Sequence, residues 1–453
     1  MRVPIAVGLL LSAHLLNAAV AEAGPNSEFD VKSFGATADG VNDDQRAIQS
    51  AIDAAVNAGG GTVLFPPGTY LHSDVLTAAS SVILRGSGSE SILKAANPQR
   101  STIHFVNASN CGVQNLSIDG TSIPRLVNGE STGLWLSNAS HCTLTGIFID
   151  GGASAGILVD GSSTDIQITG NDVRNTMADG IHITGGSNDV TVADNIAYNT
   201  GDDSYAAVAY AHDLVTSGVL FRNNSSTNSK ARGVACIGAN HCTISNNTVI
   251  NPAAHGIAVA FEQVYDTFHP SSATVTQNTI IGAGKSGMNG ILVAGAQTVT
   301  LAGNQVSQSN SILINESDSV TINDLRLQDI AGVAIAVRHS TNVAVTGVRL
   351  SGSSGPGISL ENVTQGQISR NRFIDPCLEH GIAAIVLARS SDVSGSGNVL
   401  QDSAASRSLR LIDNSGSSAI TLDGSTAGGS SSTEEPEVRY REIREIRKYG
   451  AKR

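Results

Sequence analysis

The sequence predicts an all-β protein, a single-stranded parallel β-helix (solenoid) with an N-terminal capping helix. Two periodicities and the composition carry that prediction. A Gly followed by an aliphatic residue recurs at Gly133-Leu134, Gly156-Ile157 and Gly180-Ile181, 23 and 24 residues apart. It returns at Gly233-Val234, Gly256-Ile257, Gly290-Ile291, Gly357-Ile358 and Gly381-Ile382, with Ile312 and Ile335 keeping the frame between Gly290 and Gly357. In a second frame Asn recurs at Asn171, Asn195, Asn224, Asn247, Asn278, Asn304, Asn371 and Asn398. The chain has 453 residues with 48 Gly, 4% aromatic and 15% charged residues, and no apolar run long enough to span a bilayer. That composition excludes a coiled coil and an acidic disordered chain. The net charge of −12 argues against a nucleic-acid partner, and apolar runs too short to span a bilayer argue against a membrane partner.

Residues 1–23 read as a secretory signal: Arg2, a short apolar stretch from Val7 to Leu16, and Ala21-Glu22-Ala23 as a small-x-small cleavage site. They predict a secreted protein, extracellular or periplasmic, whose solenoid runs over 24–424. The N-terminal cap covers about 29–70. Within it, Asp43 to Ala55 has helical periodicity, with Asp43 and Asp44 as capping carboxylates and Gly59-Gly60-Gly61 beyond its end. Thr62-Val63-Leu64-Phe65 follows as a buried strand. Each later repeat reads as short strands, such as Ile181-His182-Ile183-Thr184 and Val190-Thr191-Val192, separated by turn residues. Units this short must stack to bury a face, each coil rising about 4.8 Å on the last. A β-propeller would need longer blades of four antiparallel strands. The Asn column is then a structural ladder. Residues 425–433 form a Gly/Ser-rich linker, and 434–453 a charged tail. Cys111, Cys142, Cys236, Cys242 and Cys377 are an odd set without a CxxC, which leaves a thiol over and gives no zinc site.

Aligning the repeats on their Gly-aliphatic frame puts Thr132, Ala155, Asp179, Asp203, Arg232, His255 and Asn289 in one column at the preceding position. Asp202 adjoins Asp203, and the strand alternation turns His182 outward beside Asp179. Stacked like charges repel, so a purely structural ladder avoids them. Carboxylates packed from adjacent coils raise at least one pKa and prepare a general acid beside a base. Isolated, each Asp would pass for a turn residue; together they point to catalysis. Insertions at 209–217 and 261–272 lengthen coils beside this cluster and carry Tyr210, His212, Glu262, Tyr265, Phe268 and His269. Sugar contacts are expected from His182, Arg232, His255, Tyr205, Tyr210 and Glu262, with stacking on Tyr210, Tyr265 or Trp135.

The segment Phe29-Asp30-Val31-Lys32-Ser33-Phe34-Gly35-Ala36 through Asp39-Gly40, Asp43-Asp44 and Ala47-Ile48-Gln49 resembles the opening of the pectate lyase superfamily of right-handed parallel β-helices. Asn175-Thr176-Met177-Ala178-Asp179-Gly180 and Gly201-Asp202-Asp203-Ser204 resemble two motifs of polygalacturonase-type glycoside hydrolases. That resemblance implies inverting hydrolysis of a glycosidic bond. One of Asp202 and Asp203 would be the acid, with Asp179 and the other member activating water. The chain departs from the family at Met177 and Ala178, at His182, and at Ala231-Arg232-Gly233, where the family has Gly-His-Gly. It has no clear counterpart of the family's Arg-Ile-Lys. The expected partner is a polysaccharide, and no cofactor is required. Two alternatives stand beside this reading. One is a Ca²⁺-dependent uronate lyase or epimerase using Arg232 as base, with the Asp residues as oxygen ligands. The other is a non-catalytic glycan-binding, tailspike-like protein.

Overall fold

The packing around Gly180 gives the physical reason for the repeat. A Cβ at this position would lie 2.5 Å from the Ser204 carbonyl oxygen of the next coil, and a Cβ on Gly133 would lie 2.7 Å from the Gly156 oxygen. Successive coils press their backbones together along this line, which forces glycine at Gly133 and Gly180, although Ser204 takes the next place. The computed structural model describes residues 27–126, 131–284, 287–376, 383–402, 410–424 and 426–429. It divides into two compact units, Met1–Thr248 with Glu262–Phe268, and Val249–Phe261 with His269–Arg453.

Both units are parallel β-solenoids. In the first, a typical coil runs through strands Ile157–Asp160, Thr164–Thr169 and Asp172–Arg174. The next coil repeats it in register as Ile181–Ile183, Asn188–Ala193 and Ile196–Tyr198. Side chains alternate: Ile181 and Ile183 are buried while His182 between them faces outward. The second unit stacks Ile291, Ile312, Ile335, Ile358 and Ile385 in register. Ile385, not Ile382, therefore continues the aliphatic frame; 381 and 382 lie outside the described residues.

The Asn column is a buried ladder, as expected. Asn171 Nδ2 donates to Asn195 Oδ1, Asn195 to Asn224 and Asn224 to Asn247, each at 3.0 Å. Each of the first three amides also donates to a strand carbonyl, for example Asn195 Nδ2 to Ile168 O at 2.9 Å. The pattern recurs in the second unit at Asn278–Asn304 and Asn371–Asn398. These bonds satisfy backbone groups that a buried turn would otherwise orphan.

The cap helix is Gln45–Asn57, with Ile48, Ala51, Ile52 and Ala55 buried. Asp44 stands at its N-terminal boundary without capping it. Its carboxylate instead accepts bonds from Thr37 N and Ala38 N at 2.7 and 3.0 Å, tying down the preceding loop. Asp43 takes the Gln45 N–H at 3.0 Å. The strand Gly61–Phe65 is buried as expected, but Glu28–Asp30 already pairs with it. Disulfides join Cys111 to Cys142 and Cys236 to Cys242. Cys377, the signal segment 1–23 and the tail 434–453 lie outside the described residues. Of 425–433, Thr426–Gly429 is a strand paired with Val399–Asp402. Among the described residues no helix is long and apolar enough to cross a membrane.

Candidate active site

Backbone hydrogen bonds fix the column in the first unit. Gly133 N donates to Ala155 O, Gly156 N to Asp179 O, Gly180 N to Asp203 O and Ser204 N to Arg232 O, all at 2.9–3.1 Å. The side chains of adjacent column positions therefore meet. Asp179, Asp202 and Asp203 each bring a carboxylate oxygen within 4.8 Å of the other two.

Each carboxylate is held differently. Asp179 has both oxygens engaged: Oδ1 accepts the Asp203 N–H at 2.9 Å, and Oδ2 meets His182 Nδ1 in a short contact. Asp203, 2% exposed, accepts Arg232 N at 2.7 Å and Arg232 Nε at 2.9 Å on Oδ1. Asp202 is the most accessible of the three, its side chain 29% exposed, and pairs with Arg125 Nη1 at 2.6 Å. Arg232 Nη1 reaches Glu262 Oε1 at 2.6 Å. Four carboxylates thus surround two guanidiniums and one imidazole.

Burial is the main cause that pushes the Asp203 carboxyl up, to about 7; Arg232 opposes it, and Asp179 and Asp202 add to it. Burial alone would lower the His182 pKa, but Asp179 outweighs it and the imidazole is raised. Burial likewise works against charge on Arg232, yet Asp203 and Glu262 raise its pKa further. Arg125 is raised in the same sense, Asp202 overcoming the effect of burial. Burial, then Asp179 and Glu262, push the Tyr210 hydroxyl up, so it remains a donor.

The two insertions meet beside the cluster. Tyr210 and Thr267 bridge antiparallel, Ala211 N donates to Asp266 O at 2.7 Å, and Phe268 N to Ala209 O at 3.0 Å. The resulting arch carries Glu262, stacks Tyr210 on His212, and exposes Val264 and Tyr265. Asp179, Asp202, Asp203, His182, Arg232, Tyr210 and Glu262 are therefore gathered in one unit. His255 belongs to the second unit, where its Nδ1 accepts the Asn289 N–H at 2.9 Å.

Tyr205 is corrected. It was expected to touch sugar, but it pairs in register with the inward Ile181 and is fully buried. Its hydroxyl lies 3.0 Å from Asn195 O and 2.9 Å from Ser225 O. The alternation that turns His182 outward already turned Tyr205 inward. Arg125 was missed: it lies in an irregular stretch after the strand Ser117–Asp119, outside every repeat frame, so only the structure brings it to Asp202. Trp135 and His104 pack edge to face, 4.6 Å between centroids.

Three family models match parts of the chain: Rhamnogalacturonase A/epimerase, pectate lyase-like, over 29–111; Periplasmic copper-binding protein (NosD) over 113–288; and Right handed beta helix region over 263–427. Mannuronan C5-epimerase AlgE6 of Azotobacter vinelandii is 40% identical over 108 residues, 20% of this chain and 12% of that protein. The chain thus spans about an eighth of that relative's length. The catalytic unit of a thermostable GH87 α-1,3-glucanase from Streptomyces thermodiastaticus superposes with a TM-score of 0.53 at 20% identity, covering 89% of this chain and 69% of that one. A family 28 exopolygalacturonase of Yersinia enterocolitica superposes with a TM-score of 0.54 at 17% identity, covering 75% and 78%. With the parallel coils described above, these matches show a right-handed parallel β-helix fold, with a likeness to the pectate lyase-like family over residues 29–111.

Proposed function

We propose that the chain hydrolyses a glycosidic bond in a polysaccharide, using the carboxylates gathered in its first unit. The observation that carries this is the tight Asp179–Asp202–Asp203 cluster with Asp203 lifted to about 7. Near neutrality such a cluster holds a proton beside ionised neighbours, which is the acid–base state glycoside cleavage needs. The proton belongs to the coupled group. Asp202, the accessible member, delivers it to the leaving oxygen, and Asp203 behind it is the reservoir.

Inversion requires acid and base carboxyls roughly 6.5–9.5 Å apart, with room for water. The Asp trio is closer than that, and both oxygens of Asp179 are engaged. This favours Asp179 as a positioning residue that aims His182 and fixes the Asp203 backbone. We assign Glu262, bound to a different guanidinium nitrogen of Arg232 than Asp203 is, as the carboxylate that activates water. Tyr210 and Tyr265 on the arch, with His182, would contact the sugar.

We propose hydrolysis over elimination with Arg232 or His182 as the base. A lyase or epimerase base must lose its proton, whereas Arg232 is clamped between Asp203 and Glu262 and the His182 pKa is raised. The donor set also fits a resident Ca²⁺ poorly. Oxygen ligands are present, but Arg125, Arg232 and His182 already neutralise them, and Ca²⁺ needs six to eight oxygens. We therefore propose no metal requirement. The two disulfides support an oxidising compartment, consistent with export.

Product analysis on a panel of acidic and neutral glycans tests the reading. Hydrolysis gives new reducing ends without ultraviolet absorbance, unaffected by EDTA. An unsaturated uronate product, C5 inversion without cleavage, or binding without turnover would each overturn it.

A further inference from the structure

The sheet face that carries His182 is open on one side of the carboxylates and covered on the other. Its outward row runs, coil by coil, through Trp135, Leu158, His182, Ala206 and Ala235. Trp135 and Leu158 keep part of their surface exposed. Ala206 and Ala235 have only a methyl group to hide, yet they are 1% and 0% exposed. Other parts of the protein therefore lie directly over them.

The covering segment is located by its anchors, all within the first unit. The strand Val234–Ile237 starts just after Arg232 and ends at Gly238. At its start, Glu262 Oε1 accepts from Arg232 Nη1 at 2.6 Å. At its end, a Cβ on Gly238 would lie 2.6 Å from Ala209 O and 2.9 Å from both Phe268 N and Phe268 O. Glu262–Phe268 thus crosses the full width of this strand, over Ala235. The segment is tied down along its length: Thr267 bridges to Tyr210, Asp266 O accepts Ala211 N, and Glu262 N donates to Thr267 Oγ1 at 2.9 Å. A strap bonded at both ends and within itself is a wall, and the full burial of Ala235 leaves no passage beneath it.

The three aspartates stand on the two coils just before this wall, and one coil is about 4.8 Å. A polysaccharide lying along the solenoid cannot run on past the arch. It can extend only the other way, over Leu158 and Trp135, which are about 5 and 10 Å from His182 by coil spacing. Cleavage in mid-chain needs a face open on both sides of the scissile bond, whereas a walled face accepts a chain end.

We infer that the arch makes this site specific for the end of a glycan chain. The chain lies over Trp135 and Leu158, its terminal residues abut Tyr210 and Glu262, and each turnover adds one water across a linkage near that end and frees a mono- or disaccharide. The products rest on the hydrolysis reading; the binding geometry does not.

Two measurements on the full chain test this, with length-sorted polygalacturonate, alginate and soluble β-glucan as probes. The wild type should release mono- or disaccharide from the earliest time points, with reducing ends rising well before viscosity falls. The Asp202→Asn variant should bind at one protein per glycan chain at saturation, however long the chain. In that background Trp135→Ala should weaken binding at least about fivefold through lost stacking, and Trp135→Phe much less. A rapid fall in viscosity with a ladder of long oligomers would overturn chain-end action and leave hydrolysis standing. One protein bound per chain without any cleavage would do the reverse, supporting the end-binding geometry and removing hydrolysis. Stoichiometry that grows with chain length, unchanged binding in Trp135→Ala, or no binding to any of the three glycans would overturn the inference.

Discussion

Asp203 is an acid whose proton affinity is set by its neighbours and its burial, and this gives predictions of definite sign. Its folded pKa of about 7 lies above the ordinary carboxylate value, so between pH 4 and 7 the folded state binds more protons than the unfolded chain. The stability from this group is complete below the unfolded pKa and is lost as pH rises through about 7. Thermal melts should show Tm falling across that window, and Asp203→Asn should flatten the fall. Activity should decline above about pH 7 as the proton is lost. Asp202→Asn and Glu262→Gln should each lower kcat by about 10²–10⁴-fold with the fold intact, the range for loss of a general acid or base. Asp179→Asn should also displace His182, read as a shifted imidazole pKa in NMR titration.

At the scale of elements, the Asn ladder and the arch do different work. Asn195→Ala would remove an amide that serves Ile168 O and Asn224, and would orphan the buried Asn171 N–H. At about 1–3 kcal/mol for each orphaned buried group, the variant should lose several kcal/mol, seen as a lower midpoint in denaturant melts. Tyr265→Ala, at the exposed tip of the arch, should leave Tm unchanged and raise KM. The ladder was legible because its period is one coil and its residue type is constant. The same period exposed the Asp179 and Asp203 column, since backbone approach forces Gly after Asp179 and Ser204 follows Asp203 one coil on. What the sequence hid lies off the period. Arg125 reaches Asp202 from an irregular stretch, and Glu262 reaches Arg232 from an insertion, so their placement depends on loop paths that no repeat encodes. Asp44 misled for another reason: a carboxylate before a helix can bond backward to its loop as readily as forward to the helix.

At the scale of the molecule, registration between coils is what assembles the candidate site within the first unit. Strands fixed by parallel ladders let acidic side chains from separate turns be pressed together, with the cost offset by two guanidiniums and an imidazole. The central claim is that this cluster stores a proton near neutrality. Carbon-13 NMR titration of Asp-labelled protein tests it most directly. One carboxyl should titrate near pH 7 in the wild type and be absent in Asp203→Asn, while Asp202→Asn lowers its midpoint. Aspartate carboxyls that all titrate below about pH 5 would contradict it.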